Sequence, residues 1–198
     1  MIITFLFKLN RRFSLFFVRF RKRFRVFQWR NLYLNRLTVL ENFNFGNNFF
    51  IQFDASHSKI EIGTNVTLRD NCYLRSVTNG FLKIGNRVFF NNFCSITCAG
   101  RIVIGDDCQF GEGVKFFDQN HHYKGKEKIN EQKYNTGFIE IGSNCWIGSG
   151  VIILKNVKIG DNVVVGAGCV IHKSVPSNSI VINIQNLKIT NYYQDSLS

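Results

Sequence analysis

Residues 141–171 read IGSNCWIGSGVIILKNVKIGDNVVVGAGCVI, with an apolar residue at every sixth position: Ile141, Ile147, Ile153, Ile159, Val165 and Ile171. A helix of period 3.6 drifts off a six-residue repeat, and a two-sided strand alternates every two residues. Toward the N-terminus the spacing returns as Ile104, Phe110, Phe116, then Ile84, Phe90, Ile96, then Ile62, Leu68, Leu74. Gly63, Gly85, Gly105, Gly111, Gly142, Gly148, Gly160 and Gly166 each directly follow a rung of this ladder. A period of six with glycine beside the apolar residue suits very short strands bent at regular corners. Three such strands close one coil, and stacked coils bury a continuous core as repeat solenoids do. The sequence therefore predicts an all-β solenoid.

The breaks between triplets carry their own information. Beyond the expected six there are four extra residues between Leu74 and Ile84, two between Ile96 and Ile104, and nineteen between Phe116 and Ile141. Ile153 to Ile159 has none. Every insertion thus follows the third rung and falls at one corner of the coil. Repeat proteins place insertions on one face, often the binding face. The longest, loop 117–140, exceeds a plain turn and is the first place to seek function.

The chain has 198 residues and one proline, Pro176, so neither a linker nor a low-complexity stretch is expected. Cys72, Cys94, Cys108, Cys145 and Cys169 each sit two residues before a rung, in a slot that Val66, Val88 and Val163 fill elsewhere. The slot takes a small apolar side chain, which free cysteine supplies. No CxxC pair has zinc-finger spacing, so reduced, structural cysteines in a cytosolic protein are expected.

Residues 1–40 are a different material and are set apart as an N-terminal arm, followed by the solenoid at 41–190 and a tail at 191–198. No acidic residue precedes Glu41, whereas ten of the 25 lysines and arginines do, leaving 15 against 13 acidic residues in the remainder. Phe13, Phe17, Phe20, Phe24 and Phe27 recur at helical spacing with arginines between them. Three readings are open for this basic, helical arm. An aromatic stripe beside a basic face marks a helix lying in a membrane interface, here residues 1–36 as a peripheral membrane contact. The same stripe could pack as the cap that a solenoid end requires. Binding of nucleic acid is not expected, because no reader motif accompanies the charge. No apolar run reaches the roughly 20 residues that span a bilayer. Met1 to Phe7 is too short for a signal h-region.

The runs LKIGNRVFFNNFCSI (82–96) and IEIGSNCWIGSGVIILKNVKIGDNVVVGAGCVIHKSVPSNS (139–179) resemble the hexapeptide-repeat acyltransferases. More narrowly, they are similar to the O-acetyltransferases of sugars and surface polysaccharides near the maltose and galactoside acetyltransferases. The resemblance covers about Ile60 to Asn178, and the runs Trp146–Gly148 and Ile159–Gly168 are its specific parts. It implies a left-handed parallel β-helix, a homotrimer about a threefold axis, acetyl-CoA as co-substrate, and a sugar or oligosaccharide acceptor. A cytoplasmic enzyme is expected, peripheral on the cytoplasmic membrane face if the arm binds lipid.

O-acetylation needs a hydroxyl to attack a thioester, and a base must take its proton; an imidazole, which titrates near cellular pH, suits that work. Of His57, His121, His122 and His172, two lie in loop 117–140, within FFDQNHHYKG. The family often carries a D-H-D/N-H pattern there. Asp118, Gln119, Asn120 and His121 match it except for Gln119, so the resemblance makes His121 the general base, with His122 as the fallback. It places Asn92 near the acceptor hydroxyl, with a turn asparagine as the alternative use of that residue. Asp118 either orients the imidazole or caps the loop. Trp146 reads as packing.

By the same resemblance the coenzyme arm follows backbone along the C-terminal coils, walled by Gly148, Ser149, Gly166, Ala167 and Gly168, with Lys173 toward the nucleotide phosphates. The family's G-x-P-A-K/R segment is altered here: Asn183 and Gln185 replace Gly and Pro, and Lys188 is displaced by one. No Ser or Cys nucleophile is paired with a base, which favours direct transfer. Two alternatives stay open, N-acetylation of an amino-sugar nucleotide and a scaffold without activity. A zinc-dependent carbonic anhydrase would need three spaced histidine ligands. The adjacent His121 and His122 do not supply them, and no metal is expected.

Overall fold

The computed structural model describes residues 20–184; the readings placed on Phe13, Phe17, Gln185, Lys188 and the tail 191–198 lie outside the described residues. The chain winds as a left-handed parallel β-helix with a helix at its N-terminal end. Face A stacks Leu37–Val39, Lys59–Ile62, Phe81–Ile84, Arg101–Ile104, Phe138–Ile141 and Val157–Ile159. Face B begins at Asn44–Phe45 and ends at Ile180–Val181, and face C runs from Phe50–Phe53 to Val170–Ile171. All the pairings within these three faces are parallel and join one coil to the next.

The five expected triplets stack in register. Ile62, Ile84, Ile104, Ile141 and Ile159 form one column. Leu68, Phe90, Phe110, Ile147 and Val165 form the second, and Leu74, Ile96, Phe116, Ile153 and Ile171 the third. All fifteen side chains are buried. Phe90 and Phe110 stack with centroids 4.5 Å apart inside the core. Val39, Phe45 and Ile51 add a sixth coil in register below Ile62, Leu68 and Leu74. The solenoid therefore begins at Leu37, inside the segment set apart as 1–40. Phe45 of these three rungs is followed by a glycine, Gly46, one per coil as in the two coils above it.

The glycines after the rungs serve close approach between coils. A Cβ on Gly105 would stand 2.7 Å from the Gly142 carbonyl carbon and oxygen, where no side chain fits. The tight turns fall mainly to asparagine two residues after the glycine position, the L-residue that best tolerates left-handed backbone. Asn144, Asn162 and Asn178 have φ of 56°, 56° and 59°. They stack through amide hydrogen bonds of 2.9 and 3.0 Å. All six cysteines are free and buried. Cysteine differs from valine in its slot by donating to a corner carbonyl. Cys94 reaches Gly111 and Cys108 reaches Gly142, each at 3.1 Å.

Residues 20–32 are helical and close the first coil. Trp29 packs 5.2 Å from Phe45 and 5.6 Å from Phe49, and Tyr33 just beyond the helix packs 4.6 Å from Phe53. The Arg30 guanidinium donates to the Val39 carbonyl. This corrects the capping reading in its residues: the cap is Val26, Trp29 and Tyr33, whereas Phe20, Phe24 and Phe27 are 59, 51 and 59 % exposed.

Candidate active site

The nineteen-residue excess folds as a hairpin. Strand Lys115–Phe117 leaves face C at Asp118, whose carbonyl accepts the Gly137 N–H at 2.7 Å and closes the loop base. Between them Gln119–His121 and Tyr134–Thr136 pair antiparallel, with a 3-10 turn at Ile129–Glu131. Gln119 and Gln132 are half-buried, and the other residues of 120–136 are exposed.

Asp118 anchors this hairpin and does not reach His121. It faces inward, fully buried, above Cys98 in the register of face C. Its carboxylate accepts the Ala99 and Gly100 N–H groups, both at 2.8 Å. Burial pushes its carboxyl above the usual carboxylate range, while those two donors pull the other way. Of its two readings, the loop cap is the one its bonds express. Asp118→Ala leaves both N–H groups without a partner and is expected to cost about 2–4 kcal/mol. Chemical denaturation measures this, and Asp118→Asn, which keeps one acceptor, should cost less. Full stability with lost turnover would instead mark an orienting partner of the imidazole.

His121 lies directly across the hairpin from Tyr134, the two rings 4.6 Å apart. Successive strand residues point to opposite sides. The pairing continues one residue past the strand, where the His122 N–H donates to the Lys133 carbonyl at 3.3 Å, and the same alternation sets His122 on the side opposite His121. Tyr134 was not singled out in the sequence; its role comes from a pairing across the twelve residues 122–133. The hairpin leans over the outer side of face C. Arg75 there bonds Asp54, which holds its pKa up, and Tyr134 is near enough to add to that rise.

Asn92 occupies the corner between faces B and C. Its Oδ1 accepts the Asp70 N–H at 3.1 Å, as Asp70 accepts from Asn47 at 2.8 Å and Ser149 from Glu112 at 3.2 Å. These bonds form two runs up the corner, Asn47–Asp70–Asn92 and Glu112–Ser149, broken where the Asn92 N–H bonds its neighbour Asn91 instead. From coil to coil the corner reads Asn47–Asn48, Asp70–Asn71, Asn92–Phe93, Glu112–Gly113, Ser149–Gly150, Ala167–Gly168. The last three glycines have φ near +70°, and a Cβ on any of them would meet open space. A strip of bare backbone thus runs from Gly113 through Gly150 to Gly168, beginning one coil beyond Asn92, beside which Phe93 is exposed. It gathers Ser149, Ala167 and Gly168, and adds Gly113 and Gly150, which carry the same sequence signal. Gly148 and Gly166 lie behind the strip, at the contacts between coils.

Lys173 is exposed and follows Ile171 at the other edge of face C, the edge that bears the hairpin. Asn92 lies in the turn before strand Ser95–Cys98 and Asp118 lies at that strand's far end, so within one chain the two edges stand more than about 10 Å apart. Trp146, read as packing, is 60 % exposed on face B between Gln109 and Val164. It precedes the rung Ile147 and so points outward. Among the described residues no three His, Cys, Asp or Glu side chains converge.

Residues 138–173 match the family model for the bacterial transferase hexapeptide, six repeats. Among solved structures, the fold is similar to a point mutant of AntD, an N-acyltransferase from Bacillus cereus in complex with dTDP-4-amino-4,6-dideoxyglucose and coenzyme A. That match has a TM-score of 0.57 at 22 % identity, over 74 % of this chain and 81 % of that one. The hexapeptide-repeat acetyltransferase VCA0836 from Vibrio cholerae gives a TM-score of 0.50 at 20 % identity, over 80 % and 79 % of the two chains.

Proposed function

We propose that the chain, whose residues 138–173 match the hexapeptide repeats of the bacterial transferases, is an acetyl-CoA-dependent O-acetyltransferase. Its acceptor is a sugar hydroxyl of a surface polysaccharide or of its lipid-linked precursor. The observation that carries this reading is His121, exposed on a hairpin inserted into the repeat and braced by Tyr134. The acetyl-CoA arm lies along the strip Gly113, Gly150, Gly168, where backbone is bare of side chains, and its thioester points toward Asn92. The imidazole of His121 takes the proton of the acceptor hydroxyl as that oxygen attacks the thioester carbonyl. The tetrahedral adduct collapses with loss of the thiolate, which recovers the proton from the imidazolium. The products are an acetyl ester and free coenzyme A.

With His121 and Asn92 on opposite edges of face C, a site that uses both takes them from two copies. A homotrimer closed about a threefold axis repeats such a site three times.

The test is thiol release from acetyl-CoA with a panel of neutral oligosaccharides and amino-sugar nucleotides, each product weighed and checked for base-labile acetyl. Release that needs a hydroxyl acceptor, from a species of threefold mass in sedimentation, is the expected result. Base-stable acetylation of the amino sugars alone would replace this reading with N-acetylation. A trimer that binds no acetyl-CoA would leave a scaffold.

A further inference from the structure

The N-terminal helix presents two faces that the sequence did not separate. At 100° per residue, the capping side chains Val26, Trp29 and Tyr33 lie roughly 150° around the axis from Phe20, Phe24 and Phe27. The first set is packed on the end of the core, and the second is exposed, with Phe20 and Phe24 stacked at 6.5 Å. The cap is therefore complete without the phenylalanines. A row of three exposed aromatic rings on one helix is an apolar face with no partner among the described residues.

The ground on both sides of the row is cationic. A groove of about 580 Å³ between the helix and the first coil is lined by Lys22, Arg23 and Arg30 beside Phe27. On the other flank, Arg21, Lys22 and Arg25 line a second groove of about 300 Å³ with Phe45 and Asn47. Among the described residues no carboxylate lines either groove. Apolar rings between two basic grooves match a lipid surface, whose acyl region takes the rings and whose anionic headgroups meet the cations. No helix among the described residues is long and apolar enough to cross a membrane. The geometry fits one lying flat.

We infer that the Phe20–Phe24–Phe27 face docks the solenoid end-on to an anionic membrane, with lipid phosphates seated in the two basic grooves. The helix is thus a double-sided adaptor, one side holding the core closed and the other holding lipid. A stripe used as the cap itself could not do both.

Co-sedimentation of the full-length chain with vesicles tests this. Vesicles of phosphatidylglycerol and phosphatidylcholine should retain the protein at low salt and release it at 1 M salt, where the screening length falls to about 3 Å. Vesicles of phosphatidylcholine alone should not retain it. The triple variant Phe20→Ser, Phe24→Ser, Phe27→Ser should lose about tenfold or more in vesicle affinity and melt with the parent. Trp29→Ala is the opposite control, lowering the melting temperature through the cap. Equal vesicle binding by the triple variant would overturn the proposal, as would failure of the parent to bind anionic vesicles at low salt. A higher oligomer of the parent that the triple variant abolishes, without vesicle binding, would assign the face to a second copy instead.

Discussion

His121→Ala is expected to lose roughly 10²–10⁴-fold in turnover, the contribution of a general base, with an unchanged melting temperature. The side chain is exposed on the hairpin, carries none of the core, and touches only Tyr134 among the neighbouring aromatic rings. His122→Ala supplies the internal comparison. It lies next in sequence but on the other side of the strand, so its removal should leave turnover within a fewfold of the parent. Saturation kinetics with acetyl-CoA and acceptor check both variants. The loss should fall in kcat, because a base acts on the proton in flight and adds little to ground-state binding. If His122→Ala carries the loss, the hairpin presents its other side to the substrate. If both variants turn over normally, the base is elsewhere and the mechanism above is wrong.

Gly105→Ala should cost about 3 kcal/mol or more, at the upper end of what overpacking costs. A Cβ there would press at 2.7 Å on the Gly142 carbonyl carbon and oxygen and at 2.8 Å on the Ser143 nitrogen. All three atoms are backbone, and the coil above cannot retreat without breaking the ladder of face A. Gly150→Ala is the contrast. Its Cβ meets open space, but its φ of +69° strains any L side chain. That strain costs only about 1 kcal/mol. Thermal melts of the two variants separate close approach from backbone strain as the reason for glycine in one repeat. Equal small losses in both would mean that the coils part more easily than their spacing indicates.

The exposed Trp146 and the split between the two helix faces show where reading residues in order stops. Trp146 was read as packing, but it sits one residue before a rung, and alternation turns it outward, where it is 60 % exposed. The Phe20, Phe24 and Phe27 stripe was visible as a period, but a period does not say which of two apolar faces meets the core. Trp29 and Tyr33 meet it because the first coil ends in Phe43, Phe45, Phe49 and Phe53, a wide aromatic floor that takes large rings.

From the chain alone came the six-residue ladder, hence the short strands, the stacked coils and the single corner that collects insertions. Those follow from local alternation and burial, which every repeat states again. The tertiary structure decided what stands beside what. Stacking coils about 4.8 Å apart turned Asn92, Ser149 and Gly168, far apart in sequence, into one corner. It put Lys173 and the hairpin on the opposite edge. Pairing across the hairpin set His121 against Tyr134 and turned His122 away. Neighbours along such a stack are separated by a whole coil of sequence, and no local pattern encodes a distance of that kind.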